Sequence, residues 1–306
     1  MDASSAGLRL DQFLAGVLGG ASVHAARRLI AAGRVRVDDR RATKKGERLA
    51  VDQAVTVEAE TAPVVVPDLS LVLPVLFDDG VLIAVDKPAG IASHPLRPGE
   101  RGTAANGIVA LYPECATASR DAREGGLGHR LDRDTSGVLL AARTRPAWEA
   151  LRAALGDPDG EKTYVAHVFG APTAQGEFAG AIGRVGRHGA RVAIDGGRQP
   201  LPAHTRWEVI ATGAGPSALV RARLHAGRAH QVRAHLAAAG HAILGDVLYA
   251  DEGARAAAQA LGVAGLRLHA ESVRLRHPVT GAPLTIRAPL PPWAADFAAA
   301  GRAADR

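Results

Sequence analysis

The sequence predicts an α+β protein in which a small N-terminal α/β module precedes a larger domain built on a mixed, largely antiparallel sheet. Three observations predict it. Beyond Val75 the chain runs through strand-like apolar segments joined by turn residues, and helical patterns do not separate them regularly enough for a parallel sheet. With 306 residues, 47% of them hydrophobic and 22% charged, the chain has the composition of a globular protein with room for one large domain and a small one. The charge is unevenly placed: residues 27–48 hold nine Lys or Arg against three acids, while the rest of the chain balances at 28 against 28. A GC-rich genome would explain abundant arginine, but not its clustering.

Leu10, Phe13, Leu14, Val17 and Leu18 fall at helical spacing, and a second helix starts at Ser22 and stops at Gly33. RVRVDDR alternates like a strand and turns, and LAVDQAVTVEA alternates again. These elements make a basic module over residues 1–62. The prolines of TAPVVVPDLSLVLP break both periods and mark a linker at 63–73. The large domain, 74–293, contains strand-like VLIAV, VLLAAR, KTYVAHVF, TRWEVI and ALVRARL, with LRLHAESVRL and LTIRAPL forming a terminal hairpin. Helical patterns appear at AWEALRAAL, HQVRAHLAAAG and EGARAAAQALG, and an alanine-rich tail, 294–306, can form a last helix.

Several classes of protein lack support. No apolar run approaches the ~18 residues of a membrane span, and the start MDASSAGLRLDQF has no signal-peptide pattern, so a cytoplasmic protein is expected. GxxxxGK, GxGxxG, GxSxG and HExxH are all missing. The single cysteine, Cys115, reads as a packing residue. His225, His230 and His235 recur every five residues, a spacing that turns them away from one another on a helix and argues against a metal site.

The chemistry concentrates in GHRLDRDTSG, residues 128–137. On local sequence alone, a carboxylate among arginines is an ordinary ion pair or solvated turn. Asp134, before Thr135, Ser136 and Gly137, is a natural turn former through side-chain bonds to the backbone, which leaves Asp132 as the candidate reagent. A metal-chelating DxD pair is the alternative, opposed by the flanking Arg130 and Arg133. In GRAHQVRAH, His230, Arg233 and Ala237 share one helical face while Val232, Leu236 and Ala239 can face the core. An internal arginine such as Arg233 suits a catalytic carboxylate, since it is always charged and can bind in two-pronged fashion. Tyr164 stands in the strand EKTYVAHV.

Taken in order, DKPAGIASHP, GHRLDRDTSGVLL, EKTYVAHV, GRAHQVRAHLAAAGHAILGDVLYA and LRLHAESVRLRHPVTGAPLTIRAPLP resemble the RluA family of pseudouridine synthases over residues 74–292. The N-terminal LRLDQFLAGVLGGASVHAARRLIAAGRVRVDD resembles an S4 RNA-binding domain. Ala229 stands where the family commonly has threonine, and Gly128 where an apolar residue usually precedes the histidine, departures that bear on packing. The resemblance implies isomerisation of uridine to pseudouridine, with Asp132 as the essential aspartate, Arg233 as its basic partner and Tyr164 as the aromatic residue. The reaction is redox-neutral, so neither cofactor nor metal is implied. The implied partner is RNA, ribosomal RNA of the large subunit before transfer RNA, bound by a monomer without a membrane. Arg130 is a candidate wedge or phosphate contact, and Arg27, Arg28, Arg34, Arg36, Lys44 and Lys45 are candidate RNA contacts of the module. A noncatalytic RNA-binding or ribosome-assembly factor of the same fold is the alternative.

Overall fold

The computed structural model describes residues 7–18, 22–58, 65–97, 99–186, 191–213, 215–225 and 227–304. The side chain of Arg28 and both ends of the expected N-terminal module lie outside the described residues. The chain divides into two compact units, Met1–Ala62 and Pro63–Arg306.

The first unit runs α1 (Leu10–Val17), α2 (Val23–Ala31), β1 (Val35–Val37), β2 (Arg40–Arg41) and β3 (Val55–Val57), its strands antiparallel in the order β2-β1-β3. Ser22 Oγ accepts from Ala25 N and starts α2, and Gly33, at φ 70°, ends it. Leu10, Leu14, Ala26, Ile30, Val35, Val37 and Leu49 form the core. Among the described residues of the second expected alternation, only β3 is a strand. Asp38 binds Ala54 N at 2.8 Å and Gln53 Nε2 at 2.9 Å, and Asp52 adopts φ 64°, so residues 51–54 turn instead of joining the ladder.

The second unit begins with an irregular stretch, then β4 (Val75–Asp78), β5 (Leu82–Lys87), α3 (Ala104–Leu111), β6 (Ser136–Ala142), α4 (Arg145–Ala154), β7 (Glu161–Phe169) and β8 (Gln175–Ala179). It continues through β9 (Ile182–Val185), β10 (Arg191–Ile194), β11 (Arg198–Leu201), β12 (His204–Thr212), β13 (Ser217–Leu224), α5 (Gln231–Ala238), α6 (Glu252–Ala260), β14 (Leu268–Arg276), β15 (Pro283–Arg287) and α7 (Pro292–Ala304). The main sheet has the order β4-β5-β6-β14-β7-β13-β12-β8, with β15 also paired to β14. Its pairs are antiparallel except β6 with β14, which makes the sheet mixed.

Five strands, β4 and β8 to β11, are absent from the sequence reading. β8 is an edge strand, and β9 to β11 form a separate three-stranded sheet of Gly- and Arg-rich segments without a long apolar alternation. α3 is buried over most of its length and so shows no apolar–polar alternation of helical period; Asn106 Oδ1 accepts from Thr103 N at 3.0 Å at its start. The described part of the expected linker forms no helix or strand, but Val65 and Leu73 are buried with Ile83 and Ile108, and Asn106 Nδ2 donates to Val66 O at 2.7 Å. The expected boundary at 293/294 falls inside α7, whose Ala294 is buried against Val165 and Leu219. Among the described residues no helix is long and apolar enough to cross a membrane.

Candidate active site

The loop between Leu131 and Ser136 is fixed from beneath by the DKPAGIAS segment. Lys87 has no exposed surface, and its ammonium donates to the carbonyls of Pro88, Ile91 and Arg133 at 2.9, 2.9 and 3.0 Å. Burial lowers its pKa to about 8, with Asp134, Asp132 and Asp86 opposing the shift. Ser93 Oγ accepts from Leu131 N and donates to Leu131 O, while Arg133 O accepts from Gly90 N. Gly137, at φ 108°, leaves the loop where a Cβ would stand 2.2 Å from Ala270 O. The turn itself closes through the backbone, Thr135 N to Asp132 O at 3.1 Å. Asp134 is exposed and makes no side-chain hydrogen bond among the described residues, which corrects the expectation that its carboxylate shapes the turn.

Arg233 meets Asp132 from α5. Its Nη1 donates to Asp132 Oδ2 at 2.8 Å, and its Nε and Nη2 donate to the two oxygens of Asp246 at 2.7 and 2.9 Å. Burial opposes the charge on Arg233, but the bonds and charges of Asp246 and Asp132 outweigh it and raise its pKa. Burial likewise pushes the Asp246 carboxyl up, and Arg233 with the amides of Leu248 and Tyr249 brings it below its ordinary value. The face of Arg233 is buried as well as the face of Val232 and Leu236, since every residue from Gln231 to Leu236 is buried. Polar partners make that burial tolerable: Gln231 Nε2 donates to His204 O at 2.9 Å, and His235 Nδ1 lies 2.9 Å from Thr205 Oγ1.

His230 caps α5 at φ 54°, with Nε2 3.7 Å from Asp132 Oδ1 and Nδ1 2.9 Å from the Tyr249 hydroxyl. That hydroxyl accepts from Val192 N at 2.9 Å, which ties the small β9–β11 sheet to the carboxylate through two side chains. His225 Nδ1 lies instead 2.9 Å from Gly160 O, so the three regularly spaced histidines point to different neighbours.

Asp132, Tyr164, Arg233 and the exposed Arg130 line one cavity of about 550 Å³. Burial and the nearby charge of Asp132 raise the Tyr164 pKa, keeping the phenol protonated at neutral pH. His129 is pushed down to about 3 by burial and accepts from Leu140 N at 3.1 Å. Gly128 is required by packing, since a Cβ there would stand 2.5 Å from Leu151 Cδ2. Cys115 is fully buried, its thiol pushed up to about 12 by burial, and serves packing.

In the first unit the basic candidates separate. Arg27 Nε donates at 2.8 Å to Asp11, which is buried and also bound by Arg9, so Arg27 serves the fold. Arg36 donates to Asp39 O at 3.0 Å and lies 3.6 Å from Glu58. Arg34 is half-buried, and Lys44 and Lys45 are exposed on the loop after β2.

A carboxylate locked to an arginine thus shares a cavity with a protonated tyrosine and further arginines, groups capable of nucleophilic or acid–base chemistry. Residues 81–238 match the family described as RNA pseudouridylate synthase, and residues 8–55 match the S4 domain. The chain belongs to the RNA pseudouridylate synthase family, enzymes that isomerise uridine in RNA. It is 32% identical to an uncharacterised RNA pseudouridine synthase of Synechocystis sp., over 93% of this chain and 86% of that protein. It is 31% identical to the ribosomal large subunit pseudouridine synthase D of Yersinia pestis, over 94% and 89% of the two chains. Among solved structures, human RNA pseudouridylate synthase domain containing 1 shares the fold with a TM-score of 0.57 at 24% identity, covering 74% of this chain and 86% of that one.

Proposed function

We propose that this protein isomerises uridine in large-subunit ribosomal RNA, with Asp132, Arg233 and Tyr164 as its working residues. The observation that carries the assignment is the Asp132–Arg233 pair, 2.8 Å across, at the wall of the cavity that Tyr164 also lines. In the reaction the N1–C1′ bond breaks, the uracil turns, and C5 bonds to C1′. Departure of uracil leaves C1′ electron-poor. Arg233 occupies Asp132 Oδ2, and the other carboxylate oxygen is available to add to C1′, to stabilise it, or to take a sugar proton. Tyr164 offers a flat face to the base and a hydroxyl able to relay the proton lost from C5.

The uridine has to leave its stack to reach this wall, at a cost of roughly a few kcal/mol. Arg130, exposed at the cavity, is placed to fill the vacated space. Arg34, Lys44 and Lys45, with Arg28 and Arg36, supply phosphate contacts in the first unit, and Arg27 contributes less because Asp11 holds it. Asp132, Tyr164 and Arg233 meet in one cavity of a single chain, so a monomer suffices for the chemistry, and modification of ribosomal RNA places the protein in the cytoplasm. The relatives named as ribosomal large subunit synthases favour that RNA over transfer RNA.

The test is to map pseudouridines by carbodiimide treatment and primer extension in ribosomal and transfer RNA from a deletion strain, with and without the restored gene. Sites lost from large-subunit RNA and regained on complementation are expected. Loss from transfer RNA alone would move the target there. If no site changes and purified protein binds ribosomal RNA without forming pseudouridine, the noncatalytic reading replaces this one.

A further inference from the structure

Lys162 lies two residues before Tyr164 in β7, a spacing that puts both side chains on one face of the strand, and both line the cavity. Lys162 is only 8% exposed. Lys87, equally removed from water, gives its protons to three carbonyls. Lys162 has no hydrogen-bond or carboxylate partner among the described residues, and the charges acting on it are those of Arg152 and Arg228. With burial, the larger effect, they lower its pKa to about 8.

The charges that act on Lys162 are of one sign. Arg152 extends from the last turn of α4, its guanidinium 5.1 Å from the centre of the Trp148 ring. Arg228 comes from the turn before α5, where its Nε donates to Pro202 O at 3.2 Å and its Nη groups make no hydrogen bond among the described residues. Next to Arg228 the backbone approaches Lys162 closely, since a Cβ on Gly227 would stand 3.3 Å from Lys162 Nζ. The cavity has acids at Asp132, which Arg233 already holds, and at Glu124, whose pKa is raised by burial against the charge of Arg152. A nearly buried ammonium beside two guanidinium groups is costly until an anion joins it.

We propose that Lys162, Arg152 and Arg228 form a subsite for a phosphodiester of the RNA strand adjoining the uridine that is isomerised. The subsite rests on the reading of the cavity as a uridine site. It would hold the sugar–phosphate backbone while the base lies against Tyr164, so that the sugar presents C1′ to Asp132. The monoanionic diester supplies acceptor oxygens for more than one donor, which suits three cations arriving from three elements. The role of Lys162 is positioning.

Calorimetric titration of the full-length protein with uridine 3′,5′-bisphosphate and with uridine tests the proposal without requiring turnover. Wild type is expected to bind the bisphosphate at least about tenfold more tightly than uridine. Lys162→Gln should remove most of that preference while leaving uridine binding in place, Lys162→Arg should keep it, and Arg228→Gln should weaken it. Equal binding of the two ligands by wild type, or an undiminished preference in Lys162→Gln, would overturn the subsite. Should Lys162→Gln fail to fold, the wild-type comparison and Arg228→Gln still decide: an undiminished preference in Arg228→Gln removes the three-cation wall. Pseudouridine formation on ribosomal RNA is scored separately, so a protein that prefers the bisphosphate but makes no pseudouridine would fail the proposed function and not the subsite.

Discussion

Asp246 holds Arg233 in a two-pronged grip, 2.7 and 2.9 Å, without exposing any of its own side chain, and thereby fixes the nitrogen that Arg233 offers to Asp132. The guanidinium is shared between a buried carboxylate that anchors it and a partly exposed one that faces the cavity. Asp246→Asn replaces an anchoring oxygen with an NH₂ group facing a cation. Removing one member of such a buried pair costs about 3–5 kcal/mol. Urea unfolding should show a loss of that order, and pseudouridine formation should fall with RNA affinity largely kept. A change below about 1 kcal/mol would mean that Asp246 does not anchor Arg233.

Asp132→Asn and Tyr164→Phe separate the two reacting roles. The first removes the carboxylate and should lower the single-turnover rate by at least about 10³-fold, since losing a nucleophile or its equivalent commonly costs more than that. The second keeps the ring and removes the hydroxyl, so a fall of about 10²- to 10⁴-fold is expected, the usual contribution of positioned proton transfer. Filter binding should show nearly unchanged RNA affinity in both. Undiminished turnover in Asp132→Asn would take that residue out of the mechanism.

The basic residues of the first unit predict different behaviour despite identical charge. Lys44→Gln with Lys45→Gln should lower the slope of log affinity against log salt by about 1 to 2, one phosphate contact apiece. Arg27→Gln should instead lower the thermal stability of this unit, because it strips a partner from buried Asp11. An unchanged salt slope in the double lysine variant would place RNA elsewhere.

Asp132, Tyr164 and Arg233 were legible in the sequence because the motifs containing them occur in order, and the cavity brings all three together. The antiparallel character of the sheet was legible for the same kind of reason: helical patterns did not separate the apolar strands regularly. Asp246 was not singled out, although it follows Gly245 in the quoted GDVLYA, because nothing local distinguishes a buried carboxylate from a turn former. Arg233 was read as internal, but the second carboxylate that holds it there was not. Lys87 was missed likewise; its acceptors are backbone carbonyls, one of them 46 residues away. β8 to β11 left little trace because an edge strand and a three-stranded sheet of short, charged segments need no long apolar period.

Acid stability follows from histidines that the fold keeps neutral. His129 is pushed down to about 3, and His167 and His269 to about 4, burial being the main cause for all three. Their ordinary value is 6.5, so between about pH 6.5 and 4 the unfolded chain binds more protons than the folded one. Stability is therefore fully present above pH 6.5 and is lost as pH falls, with a slope approaching about 1.4 kcal/mol per pH unit for each histidine. His167 gives the sharpest check. Its Nε2 is buried without a partner among the described residues, and its ring centre lies 4.5 Å from that of Phe297, so phenylalanine can keep the aromatic contact while removing the titration. Urea unfolding at pH 7, 6 and 5 should show His167→Phe losing less stability on acidification than wild type. Equal losses across that interval would show that His167 already takes up its proton in the folded protein.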